Sequence, residues 1–187
     1  MHQLMIITGS TRDERKGPVF APWISGIARN DPDWQVKEVD LAEINLPLFD
    51  EPEHPRLQHY HHEHTKRWSE IVKAADAYIL ITPEYNYSAP PSVINAFDYL
   101  MHEWGYKPIG FVSYGGVSGG TRSVQMIKQV VTTLRMVPIV EAVNVPFFAN
   151  FIKDGKLEPN QIMEDAARVM LAELKKWTGP LKAMRQG

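Results

Sequence analysis

Two stretches of this chain, Ala77-Tyr78-Ile79-Leu80-Ile81-Thr82 and Pro108-Ile109-Gly110-Phe111-Val112-Ser113, are apolar almost without interruption. A strand with one wet face alternates apolar and polar residues, and a strand covered on both faces does not. Short unbroken runs bordered by segments with helical spacing imply a parallel sheet with helices on both sides. The alternation continues along the chain. Leu4-Met5-Ile6-Ile7 reads as a first strand, Trp34 to Leu41 as a second at an edge, and Val137 to Val145 as a last. Helical spacing is carried by Val19 to Arg29, Thr65 to Ala75, Ser92 to about Met101, Arg122 to about Arg135, and Glu158 to Trp177. Pro18 and Pro22 are expected in the first turn of the first helix. Ala42 to His64, with Pro47, Pro52 and Pro55, shows no element, and loops that long often cover a site. The expectation is an α/β fold in one domain over residues 1–187. It has three layers, an open parallel sheet of five strands in the order 2-1-3-4-5, and helices on both faces. Residues 178–187 are expected to fray.

Composition removes several classes of function. The chain has no cysteine, so disulfides, thiol nucleophiles and cysteine metal sites are excluded. A formal net charge of -2 lacks the cation excess that a nucleic-acid surface needs. No apolar run reaches the roughly 20 residues of a membrane helix, and no secretory leader pattern is present. A cytoplasmic protein is expected, with neither nucleic acid nor membrane as partner.

Three loops then stand out. The first strand runs into Thr8-Gly9-Ser10-Thr11-Arg12-Asp13-Glu14-Arg15-Lys16-Gly17-Pro18, which combines hydroxyls, glycines and three cations just before a helix. A helix start turns free N–H groups and the positive end of its dipole toward such a loop, which suits a phosphate. The loop is neither a Walker sequence nor the Gly-x-Gly-x-x-Gly dinucleotide fingerprint. Taken alone it reads equally well as an ordinary connection with solvated charges. The third and fourth strands also end in loops rich in turn formers, Pro83 to Pro91 and Ser113 to Thr121. In the strand order above, all three converge at the carboxyl edge of the sheet, where such folds bind ligands.

Together the loops resemble those of the NADPH-dependent FMN reductase family, which has a flavodoxin-like fold. The matching residues are Gly9-Ser10-x-Arg12, then Pro83-Glu84-Tyr85-Asn86-x-Ser88 leading into Asn95-Ala96-Phe97-Asp98, then Gly115-Gly116-x-Ser118-Gly119-Gly120. The resemblance runs from about Ile6 to Val145. It implies an FMN phosphate held by Gly9, Ser10, Arg12, Arg15 and the Lys16-Gly17-Pro18 end of the first loop. It implies a flavin ring lying along Pro83, Glu84, Tyr85, Asn86 and Tyr87, approached on its other edge by Ser113, Gly115, Gly116, Ser118 and Gly119. The implied activity is hydride transfer from NADPH or NADH through flavin N5 to a small acceptor such as a flavin, quinone or azo compound. A homodimer or tetramer is also implied. A carrier of flavodoxin type, which binds FMN without turnover, is the alternative, but such carriers generally dock through a strongly acidic face. The chain departs from the family pattern at Pro90-Pro91, where many relatives carry Pro-Gly, and at Ile94, where many carry lysine.

The remaining polar residues have plainer readings. Glu84 either caps the segment that follows it or bridges subunits, Asp98 faces a partner or caps a helix, and Arg122 starts a helix as a solvated charge. The cofactor carries the chemistry, so no catalytic side chain is assigned. His54, His59, His61, His62 and His64 lack the regular frame of a metal site and read as a solvated or subunit-covering loop. Phe97, Tyr99, Leu100, Met101, Trp104 and Tyr106 form either a subunit contact or a core face. Trp68, Trp104 and Trp177 read as core or interface.

Overall fold

Along β3 (Ala77–Pro83) successive side chains leave the sheet in opposite directions, and both directions are dry. Ala77, Ile79 and Ile81 enter one core with Phe20, Ile24, Met170 and Leu174, while Tyr78 and Leu80 enter another with Trp68, Phe97, Trp104 and Ile127. That double burial is why the run carries no alternation. β1 (His2–Thr8) divides the same way, with Leu4 and Ile6 on one side and Met5 and Ile7 on the other. β2 (Trp34–Asp40) and β5 (Val137–Val145) lie at the edges, and β4 (Pro108–Tyr114) sits between β3 and β5. Every pairing is parallel and the order is β2-β1-β3-β4-β5, as the sequence implied. This computed structural model describes residues 1–186.

α1 (Gly17–Arg29) and α6 (Gln161–Gln186) cover one face of the sheet. α3 (Glu63–Lys73), α4 (Pro91–Asp98) and α5 (Thr121–Thr133) cover the other. Pro91 opens α4, where a missing N–H costs no helical bond, so the Pro-Pro departure is compatible with the helix. Pro22 lies inside α1 rather than in its first turn, because the helix already begins at Gly17, and its ladder lacks a bond there.

The long proline-bearing segment is more ordered than its pattern implied. A short helix α2 (Leu41–Ile44) and a 3-10 turn at Pro55–Leu57 break it up, and carboxylates hold it down. Glu51 accepts the N–H groups of His61 (2.8 Å) and His62 (3.0 Å) at the start of α3. The buried Glu103 accepts from Tyr60 (2.8 Å) and Ser69 (2.6 Å). The histidines do not converge on one point. His59 and His61 flank Glu53, His54 accepts from the Arg56 N–H, and His64 meets Tyr99. Phe97, Tyr99, Leu100 and Trp104 are buried within the chain and are core, not a free subunit contact. A small hairpin, β6 (Ile152–Lys153) with β7 (Lys156–Leu157), was not signalled by any pattern.

The expected fraying from residue 178 is corrected for the described part of the tail. α6 continues through Thr178-Gly179-Pro180 to Gln186. Thr178 Oγ1 donates to the Leu174 carbonyl (2.7 Å) and Leu181 is buried. Lys182 (2.8 Å) and Arg185 (2.7 Å) both reach the Asp76 carboxylate, which also accepts the Gln3 N–H. Tertiary anchoring therefore overrides the weak local propensity of Gly and Pro. Burial alone would push the Asp76 carboxyl up, but Lys182, the Gln3 N–H and Arg185 outweigh it and hold it below its ordinary value. A carboxyl depressed in the folded state stabilises above its unfolded pKa of about 3.9, and that stability is lost as pH falls toward the folded value. Asp76→Asn is expected to cost about 3 kcal/mol at pH 7. It should also flatten the acid limb of stability below pH ~4. Urea unfolding across pH checks both, and an unchanged acid limb would count against this anchor.

Candidate active site

The first loop presents a row of unused donors. Gly9 N–H is consumed by the Ile81 carbonyl (2.9 Å), and Gly9 O accepts from Ser92 Oγ (2.6 Å). After that anchor, the N–H groups of Ser10, Thr11, Arg12, Asp13 and Glu14 meet no acceptor among the described residues. α1 follows with no acidic residue in its first turn, so its dipole adds positive potential at the same place. Arg15 is fixed by Asp40 (2.6 Å), and its Nε is buried without a partner. Arg12 and Lys16 are exposed on the rim. Asp13 and Glu14, which the charge reading passed over, share the same rim.

The second loop is a tight hairpin. Tyr85 and Ser88 exchange backbone bonds (3.0 and 2.9 Å), with Asn86 and Tyr87 in left-handed conformations (φ 50° and 65°), the geometry of a primed turn. The turn swings Tyr85 inward, where its hydroxyl shares a 2.5 Å hydrogen bond with the buried Ser10 Oγ. Tyr87 points out to solvent with the Arg122 guanidinium 4.1 Å above its ring. Glu84 joins this loop to the third, accepting from Ser118 Oγ (2.8 Å), Arg122 N (3.1 Å) and Arg122 Nη1 (2.9 Å). Burial alone would raise its pKa, but the Ser118 and Arg122 donors outweigh that and keep the carboxyl below its ordinary value. Glu84 therefore receives the start of α5, and Arg122 is paired, not simply solvated.

The third loop is shaped from below. Ser113 is fully buried, and its hydroxyl donates to the Gly119 carbonyl (2.8 Å). Gly115 N–H goes to the Val145 carbonyl (3.2 Å) and Gly119 N–H to Gly116 O (3.1 Å). These two amides are thus committed to the fold.

Between the loops lies a cavity of about 420 Å³, within the usual range for small-molecule sites. Of the residues expected there, Ser10, Arg12, Arg15, Lys16, Pro83, Glu84, Tyr85, Gly115 and Gly116 line it. Gly9 anchors the first loop to Ile81 and Ser92, and Gly17 and Pro18 open α1; none of the three lines the cavity. Asn86 and Tyr87 project away on the hairpin tip, and Ser113, Ser118 and Gly119 brace the third loop. The sequence reading missed Tyr114 and Phe148, which form the inner wall. Tyr114 stacks on Phe20 (4.8 Å) and meets Phe148 edge-on (5.2 Å). Burial pushes its phenol well above the ordinary range, so it stays neutral. Its signal was present, since it directly precedes the glycine pair. Phe148 comes from the connection after β5, which carries no glycine-rich cue.

The profile of the family described as NADPH-dependent FMN reductase matches residues 2–150. The chain belongs to that family. An NAD(P)H-dependent FMN reductase of Schizosaccharomyces pombe is 36% identical over 161 residues, covering 84% of this chain and 79% of the relative. An NADPH azoreductase of a Bacillus strain is 28% identical, covering 96% of this chain and 85% of its own. Among solved structures, the flavoenzyme NAD(P)H:(acceptor) oxidoreductase FerB from Paracoccus denitrificans aligns over 98% of both chains with a TM-score of 0.71 and 19% identity. At that identity the likeness establishes the fold.

The residues in the cavity fit the cofactor of this FMN reductase family. A phosphate needs N–H donors and cations, and the Ser10–Glu14 amides, the orphaned Arg15 Nε, Arg12 and Lys16 supply them. A flat aromatic ring needs apolar walls, and Pro83, Tyr85, Tyr114 and Phe148 supply those. Ile94 and Asp98 lie outside this cavity.

Proposed function

We propose that the protein reduces a small planar acceptor, namely a free flavin, a quinone or an azo compound, at the expense of NADPH or NADH. One observation carries the reading. A row of unused amides and three cations borders an aromatic-walled cavity at the carboxyl ends of β1, β3 and β4. The chemistry that FMN would supply here is hydride transfer at N5 between the nicotinamide and the acceptor. The chain's own part is to hold and orient. Arg15, pinned by Asp40, and the Ser10–Glu14 amides hold the phosphate. Glu84, ionised and tied to Ser118 and Arg122, locks the second and third loops together. Tyr114 and Phe148 keep water from the inner wall. No side chain is assigned as acid or base. Relatives named as azoreductase and quinone reductase (Bacillus sp., Pseudomonas putida) support the acceptor classes. A rim on which Arg12 and Lys16 balance Asp13 and Glu14 lacks the strongly acidic face through which such a carrier docks.

We also infer a homodimer or tetramer in the cytoplasm. Exposed Tyr87, Val117 and Phe147 on the loops around the cavity favour a covering subunit, and the nicotinamide donor is an intracellular reductant. Among the described residues no helix is long and apolar enough to cross a membrane.

NADPH oxidation by the purified protein, with and without FMN and a quinone, tests the proposal. Turnover that requires both supports it. A yellow protein that never oxidises NADPH or NADH overturns it in favour of a carrier. Arg15→Ala is expected to weaken FMN binding about 10- to 100-fold, the value of a lost charge-assisted bond. An unchanged dissociation constant in a fluorescence titration would remove Arg15 from the phosphate site.

A further inference from the structure

From Ser10 to Lys16 the first loop buries one side chain, Ser10, at 1% exposure. Its hydroxyl has a single partner among the described residues, the Tyr85 hydroxyl at 2.5 Å, and that hydroxyl in turn meets only Ser10. Two hydroxyls carry two protons, and one hydrogen bond uses only one of them. The second proton has no acceptor within the chain, and a buried donor left unmatched is costly. It stands on the same cavity as the unused N–H groups of the first loop and the orphaned Arg15 Nε.

Chemistry decides which of the two protons is left over. A phenol is a stronger acid than an aliphatic alcohol, so Tyr85 is the better donor and Ser10 the better acceptor. With Tyr85 donating, the Ser10 proton is turned toward an acceptor in the cavity. An anion that takes this proton makes the Ser10 oxygen a better acceptor, so the two bonds strengthen each other. Tyr85 also reaches a second member of the loop. The Arg12 guanidinium lies over its ring, 5.6 Å from the centroid, within the range of a cation–π contact.

The tyrosine is itself held on both sides. Glu84 before it is bound to Ser118 and Arg122, and Ser88 after it closes the hairpin through two backbone bonds. Its hydroxyl is therefore set in place before any ligand arrives, which saves the ligand an ordering cost.

We propose that Tyr85 is a positioning residue for the FMN phosphate. Its hydroxyl aims that of Ser10 and its ring steadies Arg12, so a residue of the second loop sets the affinity of the first. The inference rests on the flavin reading above and adds to it. The family resemblance placed Tyr85 along the flavin ring, whereas its hydroxyl serves the phosphate end.

FMN and riboflavin share the ring and the ribityl chain and differ in the phosphate, so titrating both separates the two ends of the site. Tyr85→Phe keeps the aromatic ring and deletes only the hydroxyl. Fluorescence titration is expected to show FMN weakened about 5- to 10-fold, the worth of one hydrogen bond, with riboflavin changed by less than about twofold. Ser10→Ala approaches the pair from its other end and should weaken FMN by about 10-fold or more, again with riboflavin little changed. Adding Tyr85→Phe to Ser10→Ala should then cost nothing further, because the hydroxyl acts through Ser10. Equal losses for FMN and riboflavin in Tyr85→Phe would overturn the proposal and make the tyrosine a part of the ring slot. FMN binding unchanged in either single variant would overturn it, as would a Tyr85→Phe loss that is as large with Ser10→Ala as without it. A parent protein that binds neither flavin is a separate failure, since it removes the flavin reading itself and this inference with it.

Discussion

Gly120→Val is expected to destabilise the protein by about 3–5 kcal/mol and to abolish FMN binding. Gly120 sits at φ +83°, and a Cβ there would lie 2.8 Å from Tyr114 N, 2.9 Å from Ser113 Cβ and 2.9 Å from Tyr114 O. Two of those neighbours are backbone atoms of β4, which cannot swing aside as the end of a side chain can. A β-branched residue also resists left-handed backbone. Relief has to come from the loop itself, yet Ser113 ties it at Gly119, and Gly120 O receives the Val124 N–H at the start of α5. Moving Gly120 therefore moves Gly115 and Gly116, which line the cavity. Urea unfolding and an FMN titration measure the two effects together. Gly116→Ala is the control, because a Cβ at Gly116 meets nothing within 4 Å, and its stability should match the parent. Equal losses in the two variants would mean that the loop is not held from below.

How much of this was legible follows from which forces leave a mark in local pattern. Two-sided burial leaves an unbroken apolar run, so β3 and β4 were readable, and the right-handed crossover rule then ordered the strands. The site loops were readable because turn residues cluster where strands stop, and nine of the expected residues do line one cavity. Contacts distant in sequence leave no such mark. Asp76 reaches Lys182 and Arg185 across the sheet, so Gly179-Pro180 read as a stop when it is part of a pinned helix. Glu51 and Glu103 organise the proline-bearing segment through buried hydrogen bonds that have no period. The resemblance placed Ser113 along the flavin's edge, whereas its buried hydroxyl bond to the Gly119 carbonyl, which shapes the loop, leaves no mark in the sequence. An aromatic run such as Phe97 to Trp104 reads alike whether it faces a partner or a core. Its burial here settles that it is core.

Trp104→Ala tests that settlement with an expected loss of about 4 kcal/mol. Trp104 is fully buried in the 3-10 turn His102–Trp104. Around it stand Phe97 (4.9 Å), Tyr78 (5.2 Å) and Trp68 (5.9 Å), all at tilted or edge-on angles. These rings come from α4, β3 and α3, so one side chain joins two helices to the sheet they cover. Its removal leaves a cavity that surrounding rings on rigid elements cannot fill, and the transfer and cavity costs add. Trp104→Phe should cost much less, about 1 kcal/mol, because most of the volume remains and the buried Nε1, which has no partner, is deleted with its desolvation penalty. The pair of variants separates the two origins of the loss. If the phenylalanine costs as much as the alanine, the indole N–H has a partner such as a buried water, and its hydrogen bond rather than ring volume carries the stability. If both are nearly neutral, α4 is not held by this cluster, and the Pro83 to Pro91 loop that precedes it owes its position to the Ser92 and Tyr85 contacts with the first loop and to the Glu84 contacts with the third.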